Sequence, residues 1–436
     1  MRAIGALAPG APMNERSASG RRTGKSRPTS TVRPRVGLAL AGGGPLGAIY
    51  EIGALSALTE ALDGLDFNSA DVYVGVSAGG FVAAGLVNGF TPHQMSRVFI
   101  EGEKTRDRFE PSVLLKPAYS EYAKRLASVP PLLASAAWHY VLGTSTAMSA
   151  FERLGRAIPT GVFSGEEVDR YLSGIFNQPD RSNDFRTLSR RLYLIATDLD
   201  TGESVKFGAP GLDHVPISRA VQATAALPGL FPPVEIDGRY FVDGALRKTL
   251  HASIALDEGI DLMVCLNPLV PYDSTPHHRT RDREHHLDKL VDGGLPVVLA
   301  QTFRSIIHSR LGAGMERYKT AYPDTDIVLF EPNRSDADMF FTNLFSYSSR
   351  RRLCEHAYQK TREELWRRRH ELAPLLARHG ITIRANVLRD EKLTLVKTLK
   401  KSRGVWRESA TTAATRLLTH TLDDLDRWLR YTAAAA

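Results

Sequence analysis

Residues 71–85 read DVYVGVSAGGFVAAG, and the rest of the chain is organised around this stretch. β-Branched and aromatic residues fill positions 72–76, which predicts a short buried strand. Small and apolar residues then continue at helical spacing, so a strand, a sharp turn and a helix are expected in succession. The turn carries Ser77 between Gly75 and Gly79 in the pattern G-x-S-x-G, which is typical of a nucleophile elbow. The structural alternative is an ordinary tight turn in an α/β core.

A glycine-rich loop comes earlier in the chain. Residues 36–40 (VGLAL) predict a buried strand, residues 41–47 read AGGGPLG, and apolar residues then recur on one face of a predicted helix. Bare backbone amides at the start of a helix form a site for an anion. The glycines of this loop are Gly42, Gly43, Gly44 and Gly47. Such a loop either cradles a phosphate, as in a dinucleotide fold, or forms the oxyanion hole of an acyl-transfer enzyme.

The second strand decides between these two chemistries. A dinucleotide fold places an acidic residue at the end of that strand, where it binds the ribose. In this chain the strand ends in Gly75-Val76-Ser77, and the nearby acidic residues Glu60 and Asp63 come before it. The sequence therefore favours acyl transfer, with oxyanion donors on one loop and a nucleophile on the other.

A candidate base follows a predicted hairpin. Residues 234–242 (VEIDGRYFV) read as two short strands joined by an Asp-Gly turn, and the second strand leads into Asp243-Gly244-Ala245. A free aspartate has a pKa of about 3.9 and is a poor base at neutral pH. Burial beside apolar neighbours raises the pKa of a carboxyl group, so Asp243 is interpreted as a general base. Its structural alternative is a turn residue.

These segments together resemble the patatin-like phospholipase family. Four blocks match that family in its order: the glycine loop 42–47, the elbow 75–79, the segment 223–233 (ATAALPGLFPP), and the DGA motif 243–245. The resemblance runs from about Val36 to about Asn267 and continues more weakly to Pro332. It implies a three-layer α/β/α sandwich related to cytosolic phospholipase A2, with a mainly parallel central sheet. It also implies hydrolysis of lipid acyl esters by a Ser–Asp dyad, without a metal or cofactor.

The resemblance also implies a role for each site residue. Ser77 would attack the ester carbonyl, and Asp243 would accept the proton and return it to the leaving alcohol. The amides of Gly43 and Gly44, assisted by Ala78, would hold the oxyanion. The other residues of the candidate site are Gly42 and Gly47 of the glycine loop, Gly75 and Gly79 of the elbow, and Gly244 and Ala245 of the DGA motif. A Ser–Asp–His triad would need His214 or His251, both of which we expect on helix or loop surfaces.

One position departs from the family pattern. Family members usually carry Arg or Lys directly before the last glycine of the loop or two residues before it, and this chain has Pro45 and Leu46 there. Backbone oxyanion donors are unaffected, but a cationic contact to a phosphate headgroup is in doubt. Alternative functions are a non-lipid acyl hydrolase, such as a thioesterase or polyester depolymerase, and a membrane-binding scaffold with a vestigial dyad.

Charge is unevenly distributed along the 436 residues. The net charge is +7 over residues 1–35, −9 over residues 36–344 and +10 over residues 345–436. We predict a disordered basic tail (1–34), a patatin-like acyl hydrolase domain (35–335) and a basic helical C-terminal extension (336–436). Basic flanks suit an anionic surface, and peripheral contact with an anionic membrane is expected in addition to the lipid ester substrate. No nucleic-acid partner is expected, and the oligomeric state is left open.

Composition gives weaker expectations. Two cysteines argue against a disulfide framework and indicate a reducing compartment, so we expect a cytoplasmic protein. The sequence has no run of 18 apolar residues, so we expect no membrane-spanning helix. The histidine-rich loop 271–289 is interpreted as a solvated charged loop rather than a metal site. Residues 295–318 predict an amphipathic helix, residues 340–347 form an aromatic patch, and residues 415–429 predict a last helix.

Overall fold

The computed structural model describes residues 33–103, 109, 116–141, 157–273, 290–336, 338–341 and 347–402. Its strands are β1 Val36–Leu40, β2 Leu62–Asp63, β3 Val72–Val76, β4 Arg191–Asp198, β5 Ser204–Phe207, β6 Val234–Ile236, β7 Arg239–Asp243, β8 Leu262–Leu266, β9 Asp326–Phe330 and β10 Thr382–Ile383. Its α-helices are α1 Gly44–Ala61, α2 Ala78–Val87, α3 Pro92–Met95, α4 Tyr119–Val141, α5 Glu166–Phe176, α6 Ile217–Thr224, α7 Ser253–Leu256, α8 Gly294–Ala321, α9 Asp338–Phe341, α10 Tyr347–Arg367, α11 Arg369–Ala377, α12 Ala385–Arg389 and α13 Leu395–Ser402.

Four predicted features lie wholly or partly outside the described residues. They are the basic tail (1–32), the histidine-rich loop (274–289), part of the aromatic patch (342–346) and the last helix (415–429).

The central sheet is mixed, with mostly parallel strands. Its order is β6-β7-β4-β3-β1-β8-β9, and β5 pairs with β4 outside this path. Strands β4, β3, β1, β8 and β9 run parallel to one another. The antiparallel pairs join β4 to β5, β4 to β7, and β6 to β7. The mainly parallel sheet predicted from the sequence is therefore confirmed.

Both faces of the sheet are covered, because alternate strand residues enter two different cores. Leu38, Leu40 and Tyr73 point toward a core that includes α1, α2 and α6. Ala39 and Val74 point to the opposite face, where they pack with residues of α7 and α8. A buried parallel sheet reads as a continuous apolar run for this reason, as β1 and β3 do. The result is the three-layer α/β/α arrangement.

Helices near the C-terminus share the first core. Leu353, Cys354, Ala357, Tyr358 and Leu365 of α10 are buried in it. The close approach of α10 to α1 occurs at a glycine: a Cβ added to Gly53 would lie 2.5 Å from the carbonyl oxygen of Cys354. Strand β10 also pairs with β2, which directly follows α1. The helical character predicted after residue 336 is present through Ser402, and these helices form part of the α/β body.

No helix in the described portion of the chain combines the length and apolar character needed to cross a bilayer.

Candidate active site

Ser77 lies where β3 ends and α2 begins, at the carboxyl end of a central strand. Its backbone has φ 53° and ψ −122°, a left-handed conformation that is uncommon for a residue with a side chain. Ser77 is buried, and its N–H donates a 2.9 Å hydrogen bond to the hydroxyl of Thr224 on α6. The Thr224 hydroxyl in turn donates to the carbonyl of Ile195 on β4. The strained corner is therefore held by a hydrogen bond that reaches it from a neighbouring helix.

The two glycines of the elbow are required by close backbone approach. A Cβ added to Gly75 would lie 2.5 Å from the Cα of Gly80, and one on Gly79 would lie 2.4 Å from the carbonyl oxygen of Leu40. Real Cβ atoms do not approach backbone this closely, so only glycine fits at either position. Strand β3 and helix α2 thus nearly touch at the corner, as the G-x-S-x-G pattern predicts.

Asp243 reaches Ser77 because two strands meet end to end. Residues 196 and 197 of β4 pair with both β5 and β7, and residues 194 and 195 pair with both β5 and β3. Strands β3 and β7 therefore share the edge of β4 opposite β5. Val76 pairs with Ile195, while Asp243 pairs with the next residue, Ala196. The parallel strand β3 and the antiparallel strand β7 run toward each other, and their last residues meet.

The carboxyl group of Asp243 has few partners. It accepts a 2.8 Å hydrogen bond from the N–H of Ala245, and it also faces the side chain of Ser77. Burial raises the pKa of Asp243 to about 6, and these two contacts oppose that effect. Among the described residues no lysine or arginine contributes to the shift, and desolvation is its largest cause. A pKa in this range suits a group that accepts a proton near neutral pH.

The glycine loop packs against both Ser77 and the DGA motif. A Cβ added to Gly42 would lie 3.1 Å from the Cβ atoms of Ser77 and Ala245. One on Gly43 would lie 2.7 Å from the ring of Pro268, which follows β8. Gly44 has φ 58° and begins α1. The loop is thus pressed between the elbow and the end of β8.

Several amides at this corner are available to a ligand. Among the described residues, no backbone or side-chain acceptor pairs with the N–H of Gly43, Gly44 or Ala78. The N–H of Ser77 is used by Thr224, and the N–H of Gly79 donates to Ala41. Gly44 and Ala78 are the first residues of α1 and α2, where the helix dipoles favour negative charge. The arrangement can therefore receive an oxyanion formed on a carbonyl that Ser77 attacks.

His214 and His251, the two histidines considered for a triad, differ in their exposure to solvent. His214 is half-exposed and pairs with Asp237 at 2.9 Å, as expected for a surface residue. His251 is buried, so the expectation that it lies on the surface is wrong. It adopts φ 48° and lies close to the backbone of Gly244, and burial lowers its pKa to about 4. The reason is that residues 249–256 turn back into the core between the sheet and α8.

Pro45 and Leu46, which stand where the family pattern has Arg or Lys, both have structural roles in α1. Pro45 occupies the first turn of α1, where its missing N–H would be unpaired, and Leu46 packs against the core. Neither position can offer a positive charge to a headgroup.

Only one group in the described segments has side chains spaced to hold a metal ion, namely Asp336, Asp338 and His356. The His356 and Asp336 side chains already contact each other at 2.6 Å. None of these three residues belongs to the loops around Ser77.

Sequence reasoning assigned no role to Thr224, although it lies in the quoted block 223–233. The sequence feature that could have identified Thr224 is its hydroxyl group, which stands among the alanines of that block. Only the tertiary structure brings that hydroxyl to the amide of Ser77, 147 residues away in sequence.

Comparison with known proteins agrees with these features. A family model described as "Patatin-like phospholipase" matches residues 38–256, just over half of the chain. The match contains the glycine loop, the elbow, the block 223–233 and the DGA motif.

Solved structures show a more distant likeness. The crystal structure of VipD from Legionella pneumophila is 15% identical with a TM-score of 0.31, and the match covers 76% of this chain and 66% of VipD. The crystal structure of the type III effector protein ExoU is 14% identical with a TM-score of 0.34, covering 77% of this chain and 53% of ExoU. A structure of full-length ExoU with SpcU from Pseudomonas aeruginosa is 16% identical with a TM-score of 0.23, covering 65% and 53%. This chain thus spans about half to two thirds of their length.

Proposed function

Because this chain belongs to the patatin-like phospholipase family, we propose that it hydrolyses lipid carboxylic esters with Ser77 as nucleophile and Asp243 as general base. The observation that carries the proposal is the end-to-end meeting of β3 and β7, which puts a serine at a strained corner beside a buried carboxyl whose pKa is raised to about 6.

The reaction proceeds in two balanced halves. Ser77 Oγ bonds to the ester carbonyl carbon while its proton passes to Asp243, and the carbonyl oxygen becomes an oxyanion. The amides of Gly43, Gly44 and Ala78 stabilise that charge. The C–O bond to the alcohol then breaks, and the alcohol leaves with the proton from Asp243. Water, deprotonated by Asp243, attacks the acyl-serine in the same way and releases the carboxylic acid.

The carboxylic ester is the part of the substrate that the site supports best. No cation among the described residues shifts the pKa of Asp243, and Pro45 and Leu46 carry no charge, so the glycine loop does not select a phosphate headgroup. A non-lipid acyl hydrolase is therefore the second candidate. Product analysis with phosphatidylcholine, triacylglycerol and an acyl thioester at equal concentration separates the two: release of fatty acid from neither lipid would favour the second.

Two variants test the dyad. Ser77→Ala should abolish hydrolysis of a soluble short-chain ester, because no other nucleophile replaces it. Asp243→Asn keeps the shape of the side chain but cannot accept a proton, so activity should fall about as far. The double variant should be little worse than either, since residues that act as a unit are not additive. Purified proteins with matched circular dichroism spectra are compared.

Histidine variants are the matched controls. His214→Ala should keep turnover within about tenfold of the parent, which corresponds to ~1.4 kcal/mol of barrier. His251→Ala should do the same wherever it remains folded, although loss of a buried side chain lowers its stability. Loss of activity as complete as in Ser77→Ala, in a folded histidine variant, would contradict the Ser–Asp assignment and favour a Ser–His mechanism.

A further inference from the structure

Helix α8 is longer than the strands it accompanies. It has 28 residues, which at 1.5 Å per residue is about 42 Å, whereas β8 has five residues and spans about 17 Å. The helix connects β8 to the parallel strand β9, so it must return from the carboxyl edge of the sheet to the amino edge. One end of α8 therefore extends past the sheet.

Contacts identify the end that extends. At its C-terminal end, the hydroxyl of Tyr322 donates to Asp257, and Thr325 donates to the carbonyl of Ile260 at 3.0 Å. Both acceptors precede β8, so this end lies at the amino edge of the sheet. The N-terminal half of α8 therefore lies at the carboxyl edge, where Ser77 is found.

The middle of α8 meets the loop that follows Asp243. The Thr249 hydroxyl donates to the carbonyl of Ile307 at 3.2 Å, and Arg310 donates to the carbonyl of Leu246 at 3.0 Å. Ile307 is also buried against the sheet. The residues of α8 before Ile307 therefore extend beyond the DGA motif, and the stretch from Leu295 to Ile306 covers about 17 Å of helix.

This overhanging segment exposes an apolar stripe that contains one polar residue, Thr302. Its side chains are between 39% and 69% exposed: Leu295, Val298, Leu299, Phe303 and Ile306. At 100° per residue they occupy an arc of about 140°. The opposite side is covered, because Gln301 bonds to the backbone of Tyr272 and Arg304 stacks on Phe340 at 4.6 Å. Apolar patches of this kind are uncommon on a free protein surface.

Positive charge borders the stripe. Arg310 lies on the same helix face at its C-terminal end, and Arg247 and Lys248 are exposed on the loop that Arg310 contacts. Glu203 pairs with Arg247, and Asp292 is the one acidic residue between residues 290 and 315. A helix with an apolar face and bordering cations is typical of segments that lie in the interface of an anionic bilayer.

We propose that the overhanging stripe of α8 is the surface by which this protein docks onto an anionic lipid bilayer, with its apolar side chains among the acyl chains and Arg310 and Lys248 at the headgroups. This inference rests on the proposed lipid esterase function and names the surface that brings the dyad to its substrate. Because the stripe begins beside the DGA motif, docking places the carboxyl edge of the sheet against the membrane.

Vesicle binding tests the proposal independently of catalysis. The full chain carrying Ser77→Ala is co-sedimented with vesicles of equal parts phosphatidylcholine and phosphatidylglycerol. Adding Leu299→Gln, Phe303→Gln and Ile306→Gln should weaken binding at least tenfold. The control adds Ala313→Gln and Thr320→Gln, which lie on exposed positions in the other half of α8, and should bind as the parent does. Phe303→Gln alone should shift binding in the same direction as the triple change.

Salt separates the stripe from the basic tail. In 0.5 M NaCl the charges are largely screened, so the binding that remains comes from apolar contact. That remaining binding should be present in the parent and absent from the triple variant. Undiminished binding of the triple variant would overturn the proposal. So would a parent that forms dimers in light scattering while the triple variant is monomeric, because the stripe would then be an interface between copies.

A second assay keeps the two hypotheses apart. With Ser77 intact, the triple variant should hydrolyse a soluble short-chain ester at the parental rate and lose activity on the vesicles. A parent inactive on every ester would refute the proposed function but leave the binding result, which uses Ser77→Ala, intact.

Discussion

At the scale of single residues, the site depends on one carboxyl group whose surroundings oppose its charge. Asp243 is buried, no cation in the described part of the chain pairs with it, and its pKa is raised to about 6 from the ordinary value of 3.8. In the proposed mechanism the deprotonated form acts. The second-order rate constant kcat/KM for a soluble ester should therefore rise with pH through about 6 and level off above it.

The same shift predicts a cost in stability. Between pH 4 and 6 the folded chain still holds a proton that the unfolded chain has released, so the free energy of unfolding falls as the pH rises and then stays constant. Asp243→Asn removes this cost. The variant should be more stable than the parent at pH 8, by roughly 1–3 kcal/mol, and nearly equal to it at pH 4. Urea unfolding at the two pH values measures this; equal stability at pH 8 would contradict burial of a charged carboxylate.

At the scale of elements, the important feature is a loop pressed against its neighbours. The glycine loop between β1 and α1 touches Ser77, Ala245 and Pro268, and its shape fixes where the amides of Gly43 and Gly44 lie. The amide positions are set by backbone hydrogen bonds at Ala41 and Gly43 together with close packing, because a Cβ at Gly43 would meet both Pro268 and the Cα of Gly47. A Cβ at Gly43 must therefore move the loop.

Gly43→Ala should therefore harm catalysis more than folding. Displacing oxyanion donors is expected to lower kcat on a soluble ester by about 10² or more, while the midpoint of urea unfolding changes modestly. Gly314→Ala is the control: this helical glycine has no atom within 4 Å of an added Cβ, so it should keep full activity and gain up to about 1 kcal/mol of stability. Parental turnover in Gly43→Ala would argue against the loop as the oxyanion hole.

At the scale of the whole molecule, the C-terminal helices complete the layer that backs the site. Helix α10 lies against α1, the helix that begins at the glycine loop, and the two meet at Gly53. A division of the chain at residue 335 stays a prediction, but the contacts make α10 part of the support for α1. Weakening this contact should lower global stability rather than alter the chemistry.

A pair of identical substitutions isolates that contact. Gly53→Ala and Gly174→Ala both gain helix propensity, but only Gly53 has backbone in the way, at 2.5 Å from an added Cβ. Gly53→Ala should lose about 1–3 kcal/mol in urea unfolding, and Gly174→Ala should lose nothing. If the two variants proved equally stable, α10 would not pack on α1 as described.

The sequence by itself determined the strands β1, β3, β6 and β7 and the sharp turn at Ser77, and the family resemblance implied the mainly parallel sheet. Apolar runs and glycine positions are local signals, and Gly75 and Gly79 mark a corner that no larger residue can occupy. The blocks of the family resemblance also named Ser77 and Asp243 before their geometry was known. Helix α8 was predicted from its amphipathic pattern, with bounds close to those observed.

Only the tertiary structure decided which of these parts meet. That β3 and β7 share one edge of β4 follows from pairings between residues 119 positions apart for β3 and β4 and 43 to 47 positions apart for β4 and β7, and no local pattern encodes them. The hydroxyl of Thr224 reaches Ser77, and His251 becomes buried, for the same reason. The sequence predicted α8 as an amphipathic helix without saying what its apolar face meets, because a pattern shows that a face is apolar but not what covers it. The lengths of α8 and β8 in three dimensions leave that face uncovered.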